Sequence, residues 1–391
     1  MPGTGRTYYV AGAGIAGMTL ALALAKFGAA VVILERSPTI SEFGAGLQVS
    51  PNARKILDNL GLGEAIAARS LEPSGIDIYP WRRPNPLVTL ELGAIMRQRF
   101  GAPYAVMHRA DLADALYKAC RRFANIDILF GVRNWDVVSH LRGITVSIDE
   151  ANGQTRTGRA HAFIGADGVH SRTRTDLLGG PAARHTGSAA WRTLLHASDA
   201  AGQLPLDRVS VFLARDFHAV TYPLPHRGQV NLALFAPQRN ASDKGGSPAL
   251  PKAVETWPRL SSLLASARDW TAWPLYTVAT ANWHSGNIGL VGDAAHAMVP
   301  FQAQGAAMGI EDAAVLAPLL IGEASADSAF EQYAKLRQRR TARVASVSAG
   351  NGRIFHLPWP LSTARNAVIT LQGSHGHLRR LAWLYGHEII S

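Results

Sequence analysis

Cysteine is nearly missing from this chain: Cys120 is the only one in 391 residues, so no intrachain disulfide can form and a reducing compartment is expected. A glycine motif starting at residue 12 leaves little room ahead of it for a cleavable signal, which makes the cytoplasm the expected location. Dense lysine or arginine blocks are also lacking. The 39 basic and 28 acidic residues give a net charge of +11, but they are dispersed, which speaks against a nucleic-acid-binding arm. A dispersed excess serves solubility, or steers small anions toward a basic cleft. The 14 histidines show no metal-ligand spacing; His375 and His377 in "SHGH" have no Cys or acidic partner nearby, so no metal site is expected. Internal repeats and low-complexity tracts are absent. The apolar run from Met18 to Leu34, interrupted in composition only by Lys26, is divided by Gly28 and ends strand-like. It reads as a buried helix and a buried strand, not as a membrane span.

What is present is a chain with 47% hydrophobic residues, enough to bury a large core in two or three domains. "TYYVA" is a short β-type run, "GAGIAG" supplies Gly12, Gly14 and Gly17, a helical pattern follows to about Phe27, and "AAVVILER" is a second apolar strand ending in Glu35 and Arg36. This is a complete dinucleotide unit. Gly12 permits the tight turn, Gly14 with Ile15 and Ala16 lets the backbone approach a pyrophosphate at the helix N-terminus, and Gly17 lets helix and strand pack closely. Glu35 is placed to accept hydrogen bonds from an adenosine ribose. The alternative is a tight strand-to-helix turn without a ligand. The motif does not say which dinucleotide, because flavin and nicotinamide cofactors share the adenosine diphosphate half.

Further along, Pro51 precedes a helix from Asn52 to Leu60, "GIDIYP" and "PLVTLEL" alternate like edge strands, and "MHRADLADALYKACRRF" reads as an amphipathic helix led by Arg109. "GITVSID" and "RAHAFIGADG" are expected in one small meander, "RVSVFLA" and "HAVTYPL" in an antiparallel sheet, and "NASDKGGSP" in a loop. Strand-like "NIGLVGD" then opens a second glycine-punctuated turn. The tail from Gly350 is part helical. No second complete βαβ dinucleotide unit occurs.

Three motifs stand in order: "GAGIAG" with Glu35, "GADGVHSRTR" from Gly165, and "GLVGDAAHAMVPFQAQGAAMGIEDA" from Gly289. Their order and spacing resemble the single-component, FAD-dependent aromatic hydroxylases, the class of para-hydroxybenzoate hydroxylase. The flanks "GAGLQVSPN", "MHRADL" and "WPLYTVATANW" resemble the salicylate hydroxylase and 6-hydroxynicotinate 3-monooxygenase branch. The resemblance spans nearly the whole chain. It implies an α/β fold with a Rossmann-like FAD-binding domain, an antiparallel-sheet substrate domain and C-terminal helices. The expected segments are 1–70, 106–180 and 286–345 for the FAD-binding domain, 71–105 as strands joining the substrate domain, 181–285 as the substrate domain, and 346–391 as a helical tail.

The resemblance further implies that FAD is held non-covalently across both glycine turns. Asp293 would bind ribityl hydroxyls, Arg109 phosphate or ribityl groups, and Asp167 and Gly168 the same cofactor; Gln304, Gly305 and Ala306 would point a helix N-terminus at the flavin's pyrimidine edge. The alternative for Asp293 read alone is a helix cap, and for Asp167–Gly168 an ordinary turn. NADH or NADPH would bind transiently, and a flavin hydroperoxide would deliver one atom of O2 to a small aromatic acid. Pro300 would shape the loop beside the flavin. Gln48 stands where the hydroxynicotinate branch has a histidine, which puts a base there in doubt. Arg192 is a candidate partner for a carboxylate, Phe212 for an aromatic ring, and His218 or Tyr222 for a proton relay; each also reads as an ordinary strand residue. A flavoprotein that only moves electrons is the alternative. A monomer or homodimer is expected, with no nucleic acid and no membrane span.

Overall fold

The computed structural model describes residues 5–40, 46–140, 143–150, 153–238 and 269–389, with positions 250, 254, 263, 264 and 267 between the last two stretches. The expected loop "NASDKGGSP" lies outside the described residues, as do Gly44 and Ala45 ahead of Gln48.

Val, Ile and Tyr side chains buried on both faces make Thr7–Ala11 and Ala30–Leu34 strands of a parallel sheet, running in register from Thr7 opposite Ala30 to Ala11 opposite Leu34. The sheet order is His284–Ser285, Ile288–Leu290, Ala162–Gly165, Thr7–Ala11, Ala30–Leu34 and Ile126–Leu129; only His284–Ser285 is antiparallel to its neighbour. Helix Ile15–Lys26 crosses over between the first two strands, with all its residues buried from Ile15 to Ala25 except Ala16. It packs against helices Gly305–Gly322 and Arg109–Cys120 in the main apolar core. Each of its fully buried leucines contributes about 2 kcal/mol of burial energy. The apolar run from Met18 to Leu34 is thus a buried helix and strand. Gly305–Gly322 is the one described helix long and apolar enough to cross a membrane, and two thirds of it is buried in this core.

Ala162–Gly165 departs from the expected meander. Thr155–Ala160 does pair antiparallel with Gly143–Asp149, which pairs with Asn134–His140. After His161, whose N–H donates to the Thr7 carbonyl, the chain enters the parallel sheet instead. Its four residues are buried on both faces, which suits a central parallel strand and not a half-exposed meander.

The second large sheet has seven strands in the order Thr271–Thr277, Arg184–His196, Gln229–Pro237, His218–Leu224, Arg208–Leu213, Gly75–Pro80 and Val88–Glu91. All neighbours are antiparallel except Arg208–Leu213 and Gly75–Pro80. A third, short sheet of Gly46–Val49, Ala105–His108 and Ser70–Leu71 carries Gln48. The expected boundary at 345/346 falls inside a continuous helix, Ala326–Phe355, whose apolar and small residues pack on the core. Pro358 and Pro360 follow its end, and helix Leu361–Tyr385 closes the chain with a break at Gly373 (φ 56°).

Candidate active site and cofactor cleft

Three neighbouring strands, Thr7–Ala11, Ala162–Gly165 and Ile288–Leu290, run in the same direction, so the turns after them stand side by side at one sheet edge. These turns are the three motifs of the sequence, and carboxyl ends of parallel strands are where open α/β sheets bind ligands. Gly12 takes φ 107°, and a Cβ there would lie 2.5 Å from the Ala166 carbonyl oxygen. A Cβ on Gly292 or on Gly309 would lie 2.9 Å from the Ala16 Cβ, so the first helix, the second glycine turn and helix Gly305–Gly322 meet almost backbone to backbone. Around Gly14, by contrast, nothing lies within 4 Å of a Cβ position.

Gly14, Ile15 and Ala16 open onto a cavity of about 1020 Å³, which is also lined by Arg109, Gly168, Gly292 and Asp293, with Gly305 and Ala306 at the start of their helix. The Asp293 carboxylate is exposed there and makes no hydrogen bond or ion pair among the described residues. Gly292 holds the cap position of helix Asp293–His296 and no side-chain cap bond forms, which opposes the helix-cap reading. The Glu35 carboxylate accepts from the Ala13 and Ser37 N–H groups, both at 2.8 Å, and so ties the glycine turn to the second strand. Arg36 beside it is exposed. An open glycine face, a helix N-terminus and a free carboxylate along one groove fit an extended dinucleotide: N–H donors for phosphate, an acceptor for polyol hydroxyls.

Two expected contacts turn elsewhere. The Asp167 carboxylate accepts from Ser171 Oγ (2.5 Å) and from Thr173 N–H (3.0 Å) and Oγ1 (3.1 Å), because a short acid at the head of such a turn finds its own backbone first. The motif instead presents Ala166, Gly168 and Val169 to the cavity. Gln304 is buried: its amide donates to Ser50 Oγ (2.9 Å) and its carbonyl accepts from Asn52 (3.1 Å), so its side chain braces the loop and does not reach the cleft.

Sequence reasoning missed the braces. Arg174 is fully buried and donates to the carbonyls of Val169 (2.8 Å), Pro181 (2.8 Å) and Ala294 (2.9 Å), tying the second motif to the third. Asp312 accepts from Gly292 N–H (2.9 Å) and Arg337 Nε (2.8 Å) and faces His296 Nε2. Burial alone would raise its pKa, yet His296 and Arg337 hold it well below the usual carboxylate range. Glu311 accepts from Asn52, Arg337 and Arg340. The acidic pair in the otherwise apolar "AAMGIEDAAVLA" was the available signal, since charges on a buried helix must be paired.

The far end of the cavity lies under the seven-stranded sheet. Strand alternation turns Val211 and Leu213, then His218, Val220 and Tyr222, toward it. Phe212 therefore points the other way. It is buried in the outer core, stacked on Tyr79 at 4.9 Å, and is not a wall of the cavity. Arg192 lines the cavity with its Nε buried and unpaired among the described residues; burial lowers its pKa, Tyr222 opposes that and Arg109 adds to it. Burial pushes the Tyr222 hydroxyl up, against the pull of Arg192. Gln48 accepts a short hydrogen bond from the Tyr104 hydroxyl, leaving its NH2 group for other contacts. His218 is stacked on Phe235 (4.7 Å) and edge-on to Phe301 (4.9 Å) and Phe355 (5.2 Å), and burial, then His356, holds its pKa well below the ordinary histidine value. Pro300 lies in a wall loop where Ala303 takes φ 53°, a strained setting for a residue with a side chain. Ser348 Oγ donates to the Val299 carbonyl (2.6 Å) and Asn351 to that of Phe301 (3.2 Å), fixing this loop to the long helix.

The FAD binding domain family matches residues 7–348. The chain is 31% identical to 3-hydroxybenzoate 6-hydroxylase of Polaromonas naphthalenivorans, over 97% of this chain and 96% of that protein. It is 31% identical to salicylate hydroxylase of Pseudomonas putida, over 97% and 92%. Among solved structures, Klebsiella pneumoniae HpxO complexed with FAD and uric acid shares the fold at a TM-score of 0.84 and 22% identity, covering 96% of this chain and 95% of that one. The ordered motifs, the cleft they build and these matches lead to one conclusion: the chain belongs to the FAD binding domain family, among its FAD-dependent aromatic monooxygenases.

Proposed function

We propose that this chain uses O2 and NADH or NADPH to hydroxylate a small, hydroxylated aromatic or heteroaromatic acid. The observation that carries the reading is Arg192: a largely buried guanidinium on the cavity wall with no carboxylate partner among the described residues. Burying such a charge is costly unless a ligand pairs with it, and a charge-assisted bond to a substrate carboxylate contributes about 1.5–3 kcal/mol. The printed names of the two relatives, a hydroxybenzoate and a salicylate enzyme, support the same class, because both name rings that carry a carboxylate and a hydroxyl.

FAD, held by the first glycine turn with Glu35, by Arg109 and Asp293, and at Gly305–Ala306, supplies the oxygen-activating chemistry. The protein does the rest. Arg192 anchors the carboxylate, Val211, Leu213 and Phe235 exclude water from the ring, and the Pro300 loop closes the cofactor side. Gln48 positions the substrate through its amide N–H; an amide is too weak a base to take a proton. His218 Nε2 accepts the proton of the ring hydroxyl, and Tyr222 hydrogen-bonds to the same oxygen. A positioned base of this kind contributes about 10²–10⁴ in rate. NADH or NADPH binds transiently on a surface without its own dinucleotide unit. The protein acts in the cytoplasm as a monomer or homodimer.

The test is a screen of 3-hydroxybenzoate, salicylate, 6-hydroxynicotinate and their amides for stimulation of NAD(P)H oxidation, with hydrogen peroxide measured alongside. The expected result is stimulation by an acid with peroxide well below the NAD(P)H consumed. Equal stimulation by acids and amides would contradict the role of Arg192.

A further inference from the structure

We infer that His356 completes a two-histidine wire with His218, which carries the proton of the substrate's ring hydroxyl out of the cavity and back. The inference rests on the reading that His218 receives that proton.

His218 lines the cavity and is 1% exposed. Its Nδ1 lies 3.0 Å from His356 Nε2. His356 is not part of the cavity wall; it is half-buried at the C-cap of helix Ala326–Phe355. One imidazole thus faces the substrate and the next faces outward. Phe235, Phe301 and Phe355 close around His218, so among the described residues the polar way on for a proton it receives is through Nδ1.

With His218 protonated on Nδ1 and His356 on its own Nδ1, the steps balance. The ring O–H bond breaks as an N–H bond forms at His218 Nε2. The His218 Nδ1–H bond then breaks as one forms at His356 Nε2, and His356 releases its Nδ1 proton to water. No electrons are exchanged. Once oxygen has been inserted, the product's phenolate takes a proton back along the same route, which restores both starting tautomers.

The surroundings set the direction. Burial disfavours a cation on His218 strongly, and His356 adds to this. Burial and Arg365 also disfavour a cation on His356, but less so, and Asp216 favours it. The guanidinium of Arg365 is turned to the Ile354 and Phe355 carbonyls. A proton therefore passes through the inner ring and rests more easily on the outer one.

The experiment uses the FAD-loaded enzyme with whichever of 3-hydroxybenzoate, salicylate and 6-hydroxynicotinate the wild type hydroxylates. Stopped-flow mixing in weak buffer with a pH-indicator dye follows proton release on substrate binding, and steady-state assays follow kcat and KM. His356→Gln and His356→Asn should slow proton release and kcat by about two powers of ten, near the low end of what acid–base assistance contributes, with KM little changed. Millimolar imidazole and rising pH should restore much of the loss. Variants that release protons like wild type, or whose loss responds to neither imidazole nor pH, would overturn the wire. In ¹⁵N-histidine-labelled wild type, His218 should be the Nδ1–H tautomer, and an Nε2–H tautomer would overturn it without any variant. If the wild type hydroxylates none of the acids in the stimulation screen, the reading on which the wire rests falls, and the wire with it; if wild type turns over and the variants match it, the wire falls alone.

Discussion

Arg192, on strand Arg184–His196, and Asp293, at the second glycine turn, line one cavity, and the duties proposed for them are separable. Arg192→Ala should raise the substrate dissociation constant by about one to two powers of ten, equivalent to the 1.5–3 kcal/mol of a charge-assisted bond, with FAD content unchanged. An amide analogue should bind wild type weakly and lose little more in the variant. Unchanged acid binding would make Arg192 a bystander. Asp293→Ala should weaken FAD binding by about tenfold in a flavin-fluorescence titration while leaving the thermal midpoint of the apoprotein close to wild type; an unchanged dissociation constant would remove it from the cleft. Spacing at the strand ends pointed to Gly12, Gly14 and Glu35, and the family resemblance to Asp293. Type could not give direction. Phe212 differs from the cavity-facing Val211 and Leu213 by a single position of strand alternation, and Asp167 and Gln304 found partners nearer than any cofactor.

Among the elements, the close crossing of Ala16, Gly292 and Gly309 is what holds the two glycine turns against each other. Gly309→Val should cost about 1–3 kcal/mol through overpacking, lowering the thermal midpoint and FAD retention together, and Ala16→Gly in the same chain should recover part of both. Calorimetry and flavin absorbance on the single and double variants check this; a double variant no better than the single would mean that the contact at Ala16 is not the constraint. The first βαβ unit was legible because its hydrophobic pattern is local. Ala162–Gly165 was not, because four apolar residues look alike in a meander and in a parallel sheet, and only pairing with Thr7–Ala11 decides. The long helix Ala326–Phe355 likewise crosses an expected boundary, since no proline interrupts it there and Ser346, Ser348 and Gly350 stay within the helix.

At the scale of the molecule, burial holds His161, His218, His356 and His387, among the described residues, below their ordinary value. The unfolded chain therefore binds more protons than the folded one below pH ~6.5, so this part of the stability is fully present above that pH and is lost as the pH falls. Glu311 and Asp312, also depressed, add a second loss below pH ~4. The thermal midpoint should stay level from pH ~8 to ~7 and decline from ~6.5 downward; a midpoint that rises on acidification to pH ~5.5 would contradict this ionisation pattern. Net charge foreshadowed none of it, because the decisive charges are the buried few, among them Arg174, Arg192 and Arg337, and not the dispersed many.

The reaction assigned to the cavity that Asp293 and Arg192 line is oxygen insertion. Purified enzyme, supplied with NADH or NADPH and the most stimulating hydroxyaromatic acid, is to be turned over under ¹⁸O2 and the product weighed by mass spectrometry. One ¹⁸O atom in each product molecule is the predicted result. NAD(P)H consumed with no label in any organic product would contradict it.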